Sequence, residues 1–437
     1  MLGFSVQKIK HDYDLEIPYL SQNESKFLSK FLSVAKDLDN IEHRLKEYAY
    51  NEGISLSSDQ VSKLSKVVEI LLCDFSIFQK ALKDDSVEEI AVVGIGKPAY
   101  VYVKKSGWLK TSVSVDDQSF FIELVNRLAR QSGKRITYSM PYLNANVYDV
   151  GRLHASIPPI SAHELTVRKF HSVPYSLSEF VGTGILDPES AALLWLLVLC
   201  DCSIVITGNT ASGKTSLLNA LAQLFTKDER VLVIEETREL NLKHEHTVYL
   251  SEFGDIKLIN LIWDSLRMRP DRLVIGEIRT RDEAIAMVES VLAGQARSFY
   301  CSMHANSCSE ALKRFESFGI VSDAIGVMDC IINVKRFREL DKGNLVERRE
   351  LREIMFPKSG AVLQQRDHVD NSCDGKDFVS TAYDCFDQNT KYKLAKFGIN
   401  NSDKLFNYVE KLIKLLQGNL GFDKFQDNIN LFYGELE

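Results

Sequence analysis

Residues 205–219 read VITGNTASGKTSLLN, and they organise the chain around them. The apolar run Ser203-Ile204-Val205-Ile206 predicts a strand leading into the loop Gly208 to Thr215. Leu217, Leu218, Leu221, Ala222 and Phe225 then fall on one side of a helix. Strand, glycine loop and helix form the setting that a phosphate-binding loop requires. Gly208 and Gly213 let the backbone curl, so that the N–H groups of Asn209, Thr210, Ala211 and Ser212 converge on an anion. The positive end of the following helix adds to that field. Lys214 supplies a point charge for the β- and γ-phosphates of a nucleotide, and the Thr215 hydroxyl supplies one oxygen to Mg²⁺. Ser216 closes the stretch 208–216 assigned to ATP. The competing reading is a glycine turn that binds nothing; the strand and helix flanks weigh against it.

Outward from the loop, a chain of 437 residues leaves room for about three domains of ~150 residues. Its composition is that of a globular protein, 45% hydrophobic and 26% charged. A formal net charge of −7 argues against nucleic acid as the main partner. Met1 to Leu20 mixes polar and apolar residues, unlike a signal peptide. The longest apolar run, Ala191 to Cys200, is about half of a ~20-residue membrane span and stops at Asp201. A soluble, cytoplasmic chain is expected, peripheral to the membrane at most. Cys73, Cys200, Cys202, Cys301, Cys308, Cys330, Cys373 and Cys385 form no paired knuckles, so no zinc site is expected, and reduced buried thiols are the simple reading.

Residues 1–80 predict a small helical bundle. Glu24 to Tyr50 has apolar residues at helical spacing, Ala35 and Leu38 among them, and Ser57 to Leu82 repeats the pattern. Residues 81–171 predict an α+β domain. Its strands are Val87 to Gly94, Ala99 to Val103, Val147-Tyr148, Leu153 to Ile157 and Leu165 to Arg168, with a helix over Phe120 to Ser132. Residues 172–188, with Pro174, Gly182, Gly184 and Pro188, predict a linker or hinge. Residues 189–360 alternate helices with the short apolar runs Val231 to Ile234, Leu273 to Ile275 and Phe299 to Cys301, the pattern of a mostly parallel sheet buried on both faces. Residues 361–437 predict a helical extension over Asp403 to Glu437, preceded by a polar loop at Asp367 to Asp387.

Chemistry in such a sheet gathers at the carboxyl ends of the strands. Glu277 follows the run 273–276 and suits orienting or deprotonating an attacking water. Glu235 and Glu236 follow the run 231–234. Adjacent residues on an extended segment point to opposite sides, so one faces the site; Glu236 is the choice, as a metal or water ligand, with Glu235 the alternative. His304 ends the run Ser298 to Met303 and could sense the γ-phosphate, although a lone histidine is more often structural. Arg152, Arg168, Arg267, Arg269 and Arg279 lie at strand ends or turns, where an arginine could stabilise phosphoryl transfer in cis or from a neighbouring subunit, or simply make an ion pair.

These stretches together resemble the secretion-superfamily ATPases of type II and type IV secretion, type IV pili and the archaeal flagellum. GNTASGKT (208–215) resembles the family's Walker A loop, VIEETRELNL (233–242) its Asp box, LRMRPDRLVIGEIR (266–279) its Walker B segment and SMHANS (302–307) its His box. DDSVEEIAVVGIGKPAYVYV (84–103), GRLHASIPPIS (151–161) and TVRKF (166–170) resemble its N-terminal domain, and the LRMRPD wording (266–271) with the IPPIS…VRKF pairing is nearest the archaeal pilus/archaellum branch. The likeness runs over roughly residues 80 to 350. It implies a P-loop (RecA-like) NTPase core preceded by the α+β domain and the helical bundle. It implies Lys214 and Thr215 on phosphate and Mg²⁺, Glu277 as the catalytic glutamate, Glu236 near metal or water, and His304 as the His-box histidine. Arg152 and Arg168 become nucleotide-contacting arginines, and Arg267 and Arg279 flank Walker B. It also implies a homohexameric ring that acts on a polytopic membrane platform protein. The departures are Glu-Glu in the Asp box, Thr280 after Arg279, and Ser302 where threonine is common.

The expected function is a Mg²⁺-dependent ATPase motor of a filament or secretion machine. A nucleic-acid-translocating ring would need a basic stripe interleaved with aromatics, and only scattered lysines are present. A nucleotide-gated scaffold with little turnover is the other alternative.

Overall fold

The structure is a computed structural model that describes residues 2–7, 12–34, 39–104, 106–147, 150–170, 174–294, 296–341, 344–364 and 375–434. It is a mixed α/β protein whose chain divides into two compact units, residues 1–172 and 173–437.

Among the described residues of the first unit, seven strands form one antiparallel sheet. They are β1 (Phe4–Val6), β2 (Val87–Val92), β3 (Pro98–Val103), β4 (Gly107–Val115), β5 (Tyr142–Val147), β6 (Gly151–Ser156) and β7 (Glu164–Lys169), in the order β1-β4-β3-β2-β7-β6-β5. The helices are α1 (Gln22–Val34), α2 (Ile41–Asn51), α3 (Ser58–Leu72), α4 (Gln79–Lys83) and α5 (Gln118–Leu128). Strand alternation sends Ile90, Val101, Leu153 and Val167 to one face, where they share a core with Phe27, Leu28, Leu64, Val68 and Phe121 of the helices. The N-terminal helices therefore pack on the sheet rather than on one another alone. The single helix expected over Glu24 to Tyr50 is two: Asn40 adopts a left-handed conformation at the start of α2, and Ala35 and Leu38 lie outside the described residues. Ser57 and Gln60 close a reciprocal capping box that starts α3. Tyr148, expected to continue a strand, and the expected boundary near His171 also lie outside the described residues.

The opposite face of that sheet carries a polar row. Glu89 of β2 stands opposite Arg168 of β7, Arg168 opposite Arg152 of β6, and Arg152 opposite Asn146 of β5. Both arginines singled out in this part of the sequence are thus neighbours on one face. Burial raises the Glu89 carboxyl above its ordinary range, opposed by the charge of Arg168.

The second unit has eight strands among its described residues. They are β8 (Ile204–Thr207), β9 (Val231–Glu235), β10 (Thr247–Ser251), β11 (Arg272–Ile275), β12 (Ser298–Met303), β13 (Cys330–Asp341), β14 (Asn344–Phe356) and β15 (Ala361–Gln364). Their order is β10-β9-β11-β12-β8-β13-β14-β15. Pairing is parallel from β10 to β13 and antiparallel from β13 to β15. Its helices are α6 (Leu177–Gly182), α7 (Pro188–Leu199), α8 (Lys214–Ala222), α9 (Leu258–Ser265), α10 (Arg281–Leu292), α11 (Cys308–Ser317), α12 (Ser322–Ile325), α13 (Gly375–Cys385), α14 (Gln388–Ala395), α15 (Ser402–Leu416) and α16 (Phe422–Gly434).

The short apolar runs are buried on both faces. Ile204, Ile206, Val231 and Val233 join one core with α7, α8 and the C-terminal helices, while Val205, Leu232, Ile234 and Ile275 join a second with α9, α10 and α11. The run 191–200 is the interior of α7, apolar on every side because every side is covered. Among the described residues no helix is long and apolar enough to cross a membrane. Trp195 packs edge-on against Phe425 and Phe432, 5.4 and 5.5 Å between ring centres, so α16 belongs to the core beneath the sheet. Two expectations need correction. Within the stretch read as a linker, residues 172–173 lie outside the described residues, but 177–182 form α6, started by a Ser176–Glu179 capping box and tied to α15 through Ser178 Oγ and Leu416 O at 2.8 Å. Within the polar loop expected over 367–387, residues 367–374, Cys373 included, lie outside the described residues. Residues 375–385 are helical because Val379 and Ala382 recur at helical spacing and are buried.

Candidate nucleotide site

The parallel strands β8, β9, β11 and β12 run the same way, so the segments that leave their carboxyl ends converge. Those segments carry the loop 208–213, the turn 235–242, Glu277 and His304.

The loop leaves β8 at Gly208, where a Cβ would lie 2.1 Å from the carbonyl oxygen of Val334; only glycine allows that approach. Gly213, at φ +99°, is the N-cap of α8. Ala211 takes a left-handed conformation at φ +60°, and the N–H of Ser212 donates to the carbonyl of Asn209 at 3.2 Å. Lys214 is buried and folds back over the loop, donating to the carbonyls of Gly208 at 3.1 Å and Asn209 at 3.3 Å. Burial pushes its ammonium below the ordinary lysine range, against the charges of Glu277 and Glu239.

From Lys214 a line of polar contacts runs across the strand ends. Its Nζ lies 3.3 Å from His304 Nδ1, and His304 Nε2 lies 3.0 Å from Glu277 Oε1. An ammonium can only donate, so Nδ1 accepts and the imidazole proton sits on Nε2. Burial and the neighbouring Lys214 charge lower the His304 pKa, with Glu277 opposing, which keeps the ring neutral. On the other oxygen of Glu277, Arg279 donates from Nε at 3.1 Å and from its terminal nitrogen at 2.9 Å, and its remaining nitrogen donates to Glu236. Burial works against the Arg279 charge, but Glu277 and Glu236 more than offset it and raise its pKa. The structure thus brings Lys214, His304, Glu277, Arg279 and Glu236 into one network.

The two adjacent glutamates divide as strand alternation demands. Glu235 is buried and accepts the N–H groups of Glu239 and Leu240 at 3.1–3.2 Å, so it shapes the turn. Glu236 faces Arg279. Glu239, which the sequence reading passed over, reaches the hydroxyl at the start of α8: Thr215 Oγ1 lies 3.4 Å from its Oε2. Glu235 turns the chain back so that Glu239 arrives there, and a tertiary turn of that kind leaves no local pattern. Arg314 is a second omission; it donates to the carbonyls of His304 at 2.6 Å and Arg279 at 3.3 Å and so braces two of the strand ends.

Arg267 is not in the network. Its side chain is 87% exposed and its ion partner is Asp264 at 3.8 Å. With Arg269 it precedes β11, at the end of the strand opposite Glu277. Arg152 and Arg168 belong to the first unit and its polar row. Among the described residues no group of three or more His, Cys, Asp or Glu side chains is arranged to hold a metal ion. One hydroxyl and separated carboxylates fit a hard cation that takes one or two protein oxygens and the remainder from water and substrate, as Mg²⁺ does.

A family model described as type II/IV secretion system protein matches residues 98–376. An uncharacterized protein of Methanocaldococcus jannaschii is 29% identical over 282 residues, 60% of this chain and 39% of that protein, so the chain spans well under half of that relative's length. A putative conjugal transfer protein of Mycobacterium tuberculosis is 28% identical over 292 residues, 63% of this chain and 80% of its own. Among solved structures, the ATPase DotB of Legionella pneumophila aligns over 77% of this chain and 94% of its own, at 18% identity and a TM-score of 0.47.

Proposed function

The chain belongs to the type II/IV secretion system protein family, and we propose that it is the family's Mg²⁺-dependent ATPase motor, built on a P-loop (RecA-like) core in the second unit. The observation that carries the reading is the line Lys214–His304–Glu277–Arg279–Glu236 at the carboxyl ends of neighbouring parallel strands. An anion seated on 208–216 would meet loop amides, the helix N-terminus and Lys214 together. Thr215, Glu239 and Glu236 offer hard oxygens to Mg²⁺, which when bound would neutralise phosphate charge. Glu277 orients the attacking water and takes its proton, and neutral His304 links Glu277 to Lys214. Arg279 holds Glu277 and Glu236 in register.

The wider reading is a cytoplasmic homohexamer that works at a membrane platform protein of a pilus, archaellum or secretion machine. Arg152 and Arg168 serve as nucleotide-contacting arginines in that ring, and Arg267 flanks the Walker B segment. Two tests decide it. Glu277→Gln should abolish turnover and leave ATP binding intact; unchanged turnover removes Glu277 from its role. The rate per chain should rise with protein concentration and collapse in Arg168→Ala. A rate flat in concentration and indifferent to Arg168 removes the ring and the arginine roles.

One observation favours a second reading. Arg279 grips one oxygen of Glu277 from two nitrogens, at 3.1 and 2.9 Å, which suits a chain that binds nucleotide but barely turns it over until a partner frees the carboxylate. Measurable Mg²⁺-dependent turnover by the chain alone excludes it.

A further inference from the structure

The strands β13 and β14 leave the sheet at the nucleotide loop. β8 pairs only with Cys330–Asn333 of β13, and β15 only with Glu353–Phe356 of β14. Between those limits the two arms pair with each other, up to Asp341 and Asn344, with a bulge at Asn333/Val334, and among the described residues no third strand joins them. The result is a two-stranded ribbon whose root lies against 208–211.

Three contacts join loop and ribbon. The Asn209 side chain makes a reciprocal pair with the Arg336 backbone, as one strand would with another: Nδ2 donates to the Arg336 carbonyl at 2.8 Å, and Oδ1 accepts the Arg336 N–H at 2.9 Å. Arg349, directly opposite Arg336 in the ribbon, donates from Nε to the carbonyl of Ala211 at 3.0 Å. The Glu347 carboxylate holds both arginines, Arg349 at 3.2 Å and Arg336 more closely. Gly208 lies flush against Val334, so the loop has no room to shift toward the ribbon.

We infer that Asn209 and Arg349 are positioning residues for nucleotide binding: they set the shape of the phosphate loop by fastening it to the β13–β14 ribbon. This rests on the reading of 208–216 as a nucleotide loop. The physical need is visible at Ala211. A left-handed conformation disfavours a residue with a Cβ and persists only where its surroundings impose it. The Arg349 bond to the Ala211 carbonyl imposes it from one side, and the Asn209 pair fixes the loop two residues earlier. The Ala211 carbonyl, held outward on the ribbon, fixes one peptide plane of the loop. Because coupling between two sites is reciprocal, nucleotide on the loop must also tighten the ribbon.

The test uses the full chain. ATP affinity is measured by titration calorimetry for wild type, Asn209→Ala, Arg349→Ala, Arg349→Lys and Lys214→Ala. Amide exchange of 334–341 and 344–352 is followed with and without ATP. Each alanine variant should weaken ATP binding about tenfold, the scale of losing one or two positioning hydrogen bonds, with the nucleotide-free melting temperature unchanged. Arg349→Lys, which keeps one donor, should recover most of the affinity. ATP should slow exchange in the ribbon of wild type and do so much less in Asn209→Ala. If wild type binds ATP, Lys214→Ala does not, and both alanine variants match wild type in affinity and in ribbon protection, the inference is overturned while the nucleotide reading stands. If wild type binds no ATP, the nucleotide reading falls and takes the inference with it.

Discussion

Replacing Arg272 by methionine should be among the most destabilising single changes available to the second unit, without touching the nucleotide site. Arg272 opens β11, at the end of the strand away from Glu277, and its side chain is 3% exposed. Its guanidinium meets Glu229 from Nε at 2.9 Å and from a terminal nitrogen at 2.7 Å, and Asp201 at 2.6 Å. It also donates to Ser298 Oγ at 2.7 Å and Tyr300 OH at 3.1 Å. Glu229 is 2% exposed; without Arg272 its remaining partners are the Thr226 N–H at 2.9 Å and half-exposed Arg297 at 3.6 Å. Methionine fills much of the arginine stem but strands that carboxylate. Removing one partner of a buried ion pair costs about 3–5 kcal/mol. At about 2–4 °C per kcal/mol for a unit of this size, the melting temperature should fall by about 6–20 °C. Calorimetry of Arg272→Met, Glu229→Gln and the double variant measures this. The double variant should be more stable than the sum of the single losses predicts, since it leaves no orphaned charge. A fall below about 2 °C in Arg272→Met, or simple additivity, would refute the reasoning.

Other outcomes follow from single contacts. Gly208→Ala puts a Cβ 2.1 Å from the Val334 carbonyl oxygen, so the loop must move and ATP binding should be lost while circular dichroism is unchanged; full affinity would show that the close approach is unnecessary. Glu239→Gln should raise the Mg²⁺ concentration needed for half-maximal ATP hydrolysis several-fold, whereas Glu235→Gln should act chiefly on thermal stability, because its carboxylate is spent on the Glu239 and Leu240 amides; equal effects on Mg²⁺ dependence would remove the distinction. Burial alone would raise the Asp387 pKa, but Lys358 at 2.8 Å and the N–H and hydroxyl of Thr390 hold it below the usual carboxylate value. A depressed carboxylate stabilises the fold above its unfolded pKa of about 3.9 and loses that contribution as pH falls through the folded value. Acid unfolding monitored from α14 should therefore begin below about pH 4 in wild type, and Asp387→Asn should show a shallower loss over that range; identical acid profiles would assign the transition to other groups.

The elements around the loop were legible because their signals are local. The run 203–206, the two glycines and the helical spacing after Lys214 lie within one window, and β8, the loop and α8 occupy it. The short apolar runs at 231, 273 and 299 read as strands because each is continuously apolar, and each proves buried on both faces. The ribbon was not legible. Residues 335–341 and 345–350 alternate charges without a buried face, since outside the sheet neither side of the ribbon needs to be apolar. Helix α6 was hidden by glycines and prolines that cap and flank it rather than break it. The C-terminal helices were readable as helices from Leu405, Val409, Leu412 and Leu416, but their place beneath the sheet was not, because helical spacing names the apolar face and not what it meets.

What the amino-acid order determined about this protein is its chemistry inventory and much of its secondary structure: a loop suited to phosphate, acidic residues at strand ends, and helices with one apolar side. Those follow from bond rotation, spacing and side-chain type over a few residues. Only the tertiary structure decided which of the strand-end groups meet. It put Glu236 on Arg279 and Glu235 under the turn, brought Glu239 to Thr215, left Arg267 at the other end of its strand, and fastened Asn209 to a ribbon more than a hundred positions away. Those pairings depend on strand order and register in the sheet, which arise from the packing of the whole unit and are written in no single stretch of the chain.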